Sequence, residues 1–253
     1  MARLLGWVRS LLGAAWRLVP ARLRERLFAE ALRAEGDAEP AAGLRMLFAV
    51  QDRLDLAVGG AAMRYERGIH PKHRLTDYHR FFVDRIADGE RVVDVGCGMG
   101  AVADTIARSR AVDVIGIDDD PRSIELARAR YQHPRLTFRC GDARRELPEG
   151  GCDVVVLSNV LEHLEHRRAF LHALKARLEP KKVLIRLPLF ERSWTVPMRR
   201  ELGIRWMSDD THFAEKTQEG WVEELEEAGL SVGHREIRWG ELWCEARWPA
   251  SNI

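Results

Sequence analysis

The sequence predicts an α/β fold: a doubly wound sheet of seven strands with an N-terminal helical extension. Three observations predict it. From residue 91 onward, short β-branched runs alternate with helical segments, the pattern of a mostly parallel sheet covered on both faces. The first such run, Arg91-Val-Val-Asp-Val95, enters the glycine turn Gly96-Cys-Gly-Met-Gly100 and then a helix from Ala101. The residues before it read as helices and a polar connector. The expected division is a basic amphipathic segment over 1–36, a helical lid or connector over 37–88, and the α/β domain over 89–253.

Taken in order, the first nineteen residues form an amphipathic pattern. At about 100° per residue, Arg3, Arg9, Ser10, Gly13 and Arg17 share one sector, and leucines, valines, Trp7 and Trp16 fill the rest. That is the description of a helix lying in a membrane interface, and equally of one packed on protein. Arginines interrupt any apolar core, so it does not read as a signal peptide. A second helix is expected from Asp37 to about Val58, broken by Gly59-Gly60. Tyr65 to Leu75 is a dense polar connector, followed by a helix over Asp77–Ile86. After the glycine turn, Val112–Ile117 is a second strand ending on Asp118, Asp119 and Asp120. Pro121 then starts a helix, because proline suits the first helical position. Leu136–Cys140 is a third strand closed by Gly141-Asp142-Ala143, and Cys152–Leu157 a fourth, apolar throughout and so buried on both faces. The helix Arg167–Leu178 stops before Pro180. Val183–Leu187 is a fifth strand, Trp221–Ala228 a helix closed by Gly229, and Leu230–Arg238 with Glu241–Arg247 a closing pair around Gly240.

The glycine turn carries the first chemical signal. Glycines 96, 98 and 100 allow positive φ and leave bare main chain for a ligand, while the next helix aims its N–H groups at the same crevice. A dinucleotide fingerprint is spaced G-x-G-x-x-G to cradle a pyrophosphate. Here the spacing is Gly-x-Gly-x-Gly behind Asp94, whose carboxylate repels a pyrophosphate but suits a ligand carrying an ammonium group, such as S-adenosylmethionine. Asp118, about 20 residues past the turn at the end of the second strand, is placed to take two ribose hydroxyls.

Together these motifs resemble the class I S-adenosylmethionine-dependent methyltransferases, over about residues 75 to 248. The resemblance implies a Rossmann-like seven-stranded sheet with its last strand antiparallel. It implies that Asp94, Gly96, Cys97, Gly98 and Gly100 hold the methionine part of the cofactor and that Asp118 and Asp119 take the ribose. By the same resemblance Asp142 and Ala143 hold the adenine, and Asn159 borders both cofactor and acceptor. It further makes the connector a lid, so that Tyr65, Lys72, His73 and Arg74 meet the cofactor carboxylate or an acidic substrate.

Methyl transfer from a sulfonium to a hydroxyl needs in-line positioning and a base, and a pKa near neutrality favours histidine. His163, after the fourth strand, is the first choice, with His73 and His212 as alternatives. Some relatives use a Glu-x-x-Glu-His run to hold a metal. Here the corresponding residues are Asn159, Glu162 and His163, and the loss of a charged oxygen ligand leads to the expectation of no metal. Between the fifth strand and the last helix, Pro188–Gly203 reads as an acceptor lid. Trp194 and, just beyond it, Trp206 are suited to stacking, and Arg192, Arg199 and Arg200 to an anionic group.

Composition bounds the rest. The 253 residues are 46% hydrophobic with a formal net charge of +1, enough for one core and an appendage and without the basic excess expected of a nucleic-acid binder. Cysteines 97, 140, 152 and 244 have neither metal nor disulfide spacing and read as buried thiols of a cytoplasmic protein. No apolar run reaches the roughly 20 residues that span a bilayer. The His-Pro-Lys-His-Arg and Pro-Leu-Phe-Glu-Arg-x-Trp stretches are similar to bacterial methyltransferases of cell-surface polysaccharide pathways. That resemblance implies O-methylation of a sugar hydroxyl on a lipid-linked glycan, with residues 1–19 on the inner face of the membrane. The alternatives are a small hydrophobic acceptor, such as a quinone precursor or secondary metabolite, and a non-catalytic cofactor-binding partner protein.

Overall fold

A computed structural model describes residues 14–37 and 39–249. Most of the expected helix over residues 1–19 lies outside the described residues. Among those described, no helix is long and apolar enough to cross a membrane.

The chain separates into two compact units, Met1–Gly68 with Glu201–Ile204, and Ile69–Arg200 with Arg205–Ile253. The second unit thus begins at Ile69, within the expected connector over 37–88. Tyr78, Phe81, Phe82 and Ile86 explain this, because they are buried in the same cluster as the strand residues Val92, Val114 and Val156. In the first unit the helices are Ala21–Gly36 and Pro40–Tyr65. The second starts on a proline capped by the Glu39 carboxylate, which accepts the Ala41 and Ala42 N–H groups. It runs straight through Gly59-Gly60, which were expected to end it. A glycine inside a helix costs only about 1 kcal/mol against alanine, and the turns on either side carry the helix across the pair.

The second unit holds one seven-stranded sheet in the order β3-β2-β1-β4-β5-β7-β6. The strands are β1 Arg91–Val95, β2 Asp113–Asp118, β3 Leu136–Cys140, β4 Val154–Ser158, β5 Lys182–Pro188, β6 Ser231–Arg238 and β7 Glu241–Arg247. β1 to β5 are parallel, and β7 runs antiparallel between β5 and β6. All seven residues of β5 are buried, as a central strand under helices on both faces requires. One core, containing Leu171, Leu174, Leu178, Trp221 and Leu225, packs on one face; the other, containing Phe82, Ala103, Ile106 and Ile124, packs on the opposite face. Three of the four cysteines are buried as expected, but Cys140 at the end of β3 is exposed.

The order reverses between β1 and β4: from β1 the chain moves out through β2 and β3 on one side and returns to β4 and β5 on the other, and in such sheets the crevice at the strands' carboxyl ends receives ligands. Close packing beneath this crevice accounts for two of the glycines. Gly100 has φ +81°, and a Cβ there would stand 2.5 Å from the Phe138 ring. Gly116, inside β2, would strike the same ring at 2.8 Å and Cys97 Sγ at 2.9 Å. Gly100→Ala is accordingly expected to cost about 2–4 kcal/mol of stability, from left-handed strain and overpacking together; urea unfolding measures it.

Candidate active site

A cavity of about 290 Å³ opens at the ends of the parallel strands. One wall comes from β1 and β2 through Val95, Gly96, Ile117, Asp118 and Asp119, the floor from Gly141 to Arg144, and the other wall from Asn159, Val160, His163, Leu164 and Phe170. Main chain is bare at Gly96 for a steric reason: a Cβ there would lie 2.7 Å from Val160 Cγ2.

Asp118 ties the two loops together. Its Oδ2 accepts the Gly98 N–H at 2.8 Å and its Oδ1 accepts the Asp120 N–H at 2.9 Å. An ionised carboxylate has about four acceptor sites, so two remain for a diol. Of the three consecutive acids, Asp120 is the helix cap: its carboxylate accepts the Arg122 and Ser123 N–H groups ahead of the helix Pro121–Arg130. Asp119 is exposed and lines the cavity. Asp94 does not line the cavity. It is buried in β1 with Oδ2 lacking any partner, and burial, reinforced by the charge of Asp118, pushes its carboxyl up to about 8. Cys97 and Gly100 do not reach the cavity either; the Cys97 thiol is turned into the core beside Gly116, and burial raises its pKa. Asp142 is engaged by Arg144, which donates its Nε and Nη2 at 2.7 and 2.9 Å. Arg144 itself lines the cavity, a feature that the sequence did not single out.

The turn after β4 carries the remaining polar groups. Asn159 adopts φ +58° and its Oδ1 accepts from Arg186 Nε. Arg186 is buried on β5, reaches Glu241 at 3.4 Å and lies 3.8 Å over the Tyr78 ring. Glu162 is fully buried; the Asn159 amide and the Glu162 backbone N–H stand near its carboxylate and favour the ionised form, without a hydrogen bond of normal geometry to either oxygen. Burial pushes Glu162 up to about 7. The loop following β5 folds back here, since the Phe213 N–H donates to the Glu162 carbonyl at 2.8 Å. That return brings His212 edge-on to His163, with ring centroids 4.5 Å apart.

Both imidazoles are anchored through Nδ1. The Thr211 hydroxyl donates to Asp209 at 2.6 Å, so its oxygen accepts the Nδ1–H of His163 at 2.8 Å. His212 Nδ1 lies 2.8 Å from Glu215 Oε1. Glu215 also accepts from Ser208 and Arg192, and these donors hold it down at about 2 despite burial, so it is an acceptor only. Each ring therefore donates from Nδ1, which in a neutral imidazole leaves Nε2 as the acceptor. Burial holds His163 below the usual imidazole range, which leaves it neutral at physiological pH.

Several expected residues stand elsewhere. His73 bonds His79 Nε2 at 2.8 Å and the Tyr78 hydroxyl at 2.9 Å, and His79 bonds Thr105 at 2.7 Å; burial lowers His73 to about 4. Neither His73 nor Lys72, which heads the short helix Lys72–Thr76, lines the cavity. Tyr65 is 82% exposed and belongs to the first unit. None of the five proposed acceptor contacts lines the cavity; Arg200 stands over the Phe190 and Trp206 rings. Arg192 is spent on Glu215 and the Trp206 carbonyl, and Arg199 is buried and donates to the Arg205 carbonyl at 3.3 Å. Trp206 packs edge-on against Phe190, and Trp194 is 72% exposed. The two arginines are captured by the loop that the sequence had them serve.

This fold and cavity define a cofactor-binding α/β enzyme class, and comparison identifies it. A family model for the methyltransferase domain matches residues 65–234. The chain belongs to that family and has the class I, S-adenosylmethionine-dependent architecture. It is 30% identical over 152 residues to a ubiquinone biosynthesis O-methyltransferase of Rhodopseudomonas palustris (strain BisB5), covering 57% of this chain and 59% of that protein. It is 29% identical over 162 residues to a ribosomal protein L11 methyltransferase of Ralstonia pickettii (strain 12J), covering 63% and 50%. A SAM-dependent methyltransferase structure from Aquifex aeolicus superposes with a TM-score of 0.56 at 16% identity, over 72% of this chain and 95% of that one. The chain thus spans between half and three-fifths of the length of these curated relatives.

Proposed function

We propose that the protein transfers a methyl group from S-adenosylmethionine to a hydroxyl of a small hydrophobic acceptor of the phenol or quinol type. The observation that carries this is the cavity's two-sided lining. Acids and bare main chain stand on the β1–β3 side, suited to a cationic, hydroxyl-bearing cofactor. Val160, Leu164 and Phe170 surround His163 on the other, suited to an apolar acceptor with one polar atom. The cofactor supplies an electrophilic methyl on a sulfonium. The chain holds the ribose at Asp118, presents main chain at Gly96, and brings the acceptor oxygen to His163, the group that activates it.

The resemblance to a ubiquinone biosynthesis O-methyltransferase supports this acceptor class over a glycan. The capture of Arg192 and Arg199 supports it too, because a charged or glycosidic acceptor loses its expected contacts. A panel of catechols and hydroquinones with increasing alkyl length tests the proposal; turnover should rise with apolar length, and transfer only to sugars would refute it. For the cofactor side, Asp118→Ala is expected to weaken S-adenosylmethionine binding by about 1.5–3 kcal/mol, the scale of hydrogen bonds to a charged group. Unchanged affinity by calorimetry removes Asp118 from the ribose.

A further inference from the structure

The helix Ala21–Gly36 buries none of its residues. Ahead of it the chain is helical over residues 14–18 and turns at Pro20. Along this stretch Trp16, Leu18, Leu23, Leu27 and Phe28 are each at least 44% exposed. Apolar residues scattered singly on a surface need no explanation, but five of them within one short basic stretch mark a contact. We propose that the segment from the chain start to Gly36 docks the protein on the surface of an anionic lipid bilayer.

Charge selects this partner. Residues 1–26 hold Arg3, Arg9, Arg17, Arg22, Arg24 and Arg26 against one acid, Glu25. The whole chain is only +1, so the remaining residues are net acidic and this end is the one drawn to a negative surface. On the helix Ala21–Gly36, at about 100° per residue, Leu23, Leu27, Phe28 and Ala31 share a sector about 140° wide, and Arg22, Arg26 and Arg33 a sector about 40° wide beside it. Glu30 stands at the boundary, where it accepts from Arg33 at 2.9 Å. An apolar face flanked by arginines suits a bilayer interface: the leucines and the phenylalanine enter the acyl boundary while the guanidinium groups stay among lipid phosphates. Trp16 supplies an amphipathic ring of the kind that settles at headgroup level.

Other occupants fit less well. A second copy of this chain offers the same apolar face, but a two-fold interface lays each patch on itself and would set arginine-rich surfaces together. Nucleic acid would engage the arginines and leave the leucines in water. The docking surface rests on the first unit alone and does not depend on the acceptor or on the chemistry proposed above.

The test floats the full chain through a density gradient with vesicles of phosphatidylcholine alone, or of phosphatidylcholine and phosphatidylglycerol in equal parts. The protein is expected to rise with the anionic vesicles only, and less so as salt is raised. A variant combining Arg17→Gln, Arg22→Gln and Arg26→Gln should lower partitioning by about 100-fold. One combining Leu23→Ser and Leu27→Ser should lower it by about 10-fold. All five side chains are exposed, so S-adenosylmethionine affinity and helix content, measured on the same samples, should match the parent. No flotation, equal flotation with both vesicle types, or variants that bind as the parent does would each overturn the docking surface. So would a lipid-free dimer that the Leu23 and Leu27 substitutions dissociate, because a second copy then covers the face. Loss of cofactor binding in the parent bears on the methyltransferase reading alone.

Discussion

Replacing His163 with alanine should lower methyl transfer by about 10²–10⁴-fold while leaving S-adenosylmethionine affinity nearly unchanged. The expectation follows from where the ring stands. It lines the apolar half of the cavity, opposite the acids that face the cofactor, and its Nε2 is unprotonated because Nδ1–H is given to Thr211. Burial keeps the ring neutral at physiological pH, so activity should persist below the pH at which an ordinary imidazole becomes charged. His73→Ala provides the contrast. That ring is hydrogen-bonded to Tyr78 and His79 away from the cavity, and its loss should cost stability with far less effect on the rate. Single-turnover measurements on the two variants separate these outcomes. Wild-type turnover in His163→Ala would make His163 a packing residue.

Asp94 carries the second large effect, visible as a proton. In the free protein the buried carboxyl is raised to about 8 and is mostly protonated at pH 7. A cofactor ammonium held near the glycine turn favours the carboxylate, so binding should release close to one proton per chain at pH 7. Calorimetry in buffers of different ionisation enthalpy counts it. Asp94→Asn should bind the cofactor more weakly and release none. The same shift has a stability consequence whose sign is fixed. The unfolded carboxyl ionises near 3.8 and the folded one only near 8, so the folded state holds the extra proton in between and loses stability as pH rises through that window. Asp94→Asn should therefore be more stable than the parent at pH 8, by about 2–4 kcal/mol, with the advantage vanishing near pH 4. Equal pH dependence of the two proteins would place Asp94 in an ordinary polar environment.

The sheet was legible in the sequence because buried parallel strands are written as local runs. Val154–Leu157 and Val183–Ile185 are unbroken apolar runs within β4 and β5, and the acid at the end of β2 marks the crevice edge. Asp118 and the glycine turn could be read the same way, since both follow directly from strand ends. What could not be read are the partners that the fold supplies from a distance. Arg186 occupies Asn159 and Phe213 pins the loop to Glu162, each across many residues of chain. Arg192 and Arg199 misled for the same reason: their charge suggested an anionic acceptor, but nearby carboxylate and carbonyl groups consume it. The helix through Gly59-Gly60 shows a different limit, a local breaker outweighed by the continuous turns around it.

One measurement tests methyl transfer to a hydrophobic hydroxyl directly. The full chain is incubated with methyl-labelled S-adenosylmethionine and a total cell extract, which is then separated into lipid, polysaccharide, protein and small-molecule fractions. The label is expected in an organic-extractable ether product, absent with His163→Ala and reduced with Asp118→Ala. Label confined to polysaccharide or protein, or cofactor bound without any transfer, would contradict the proposed function.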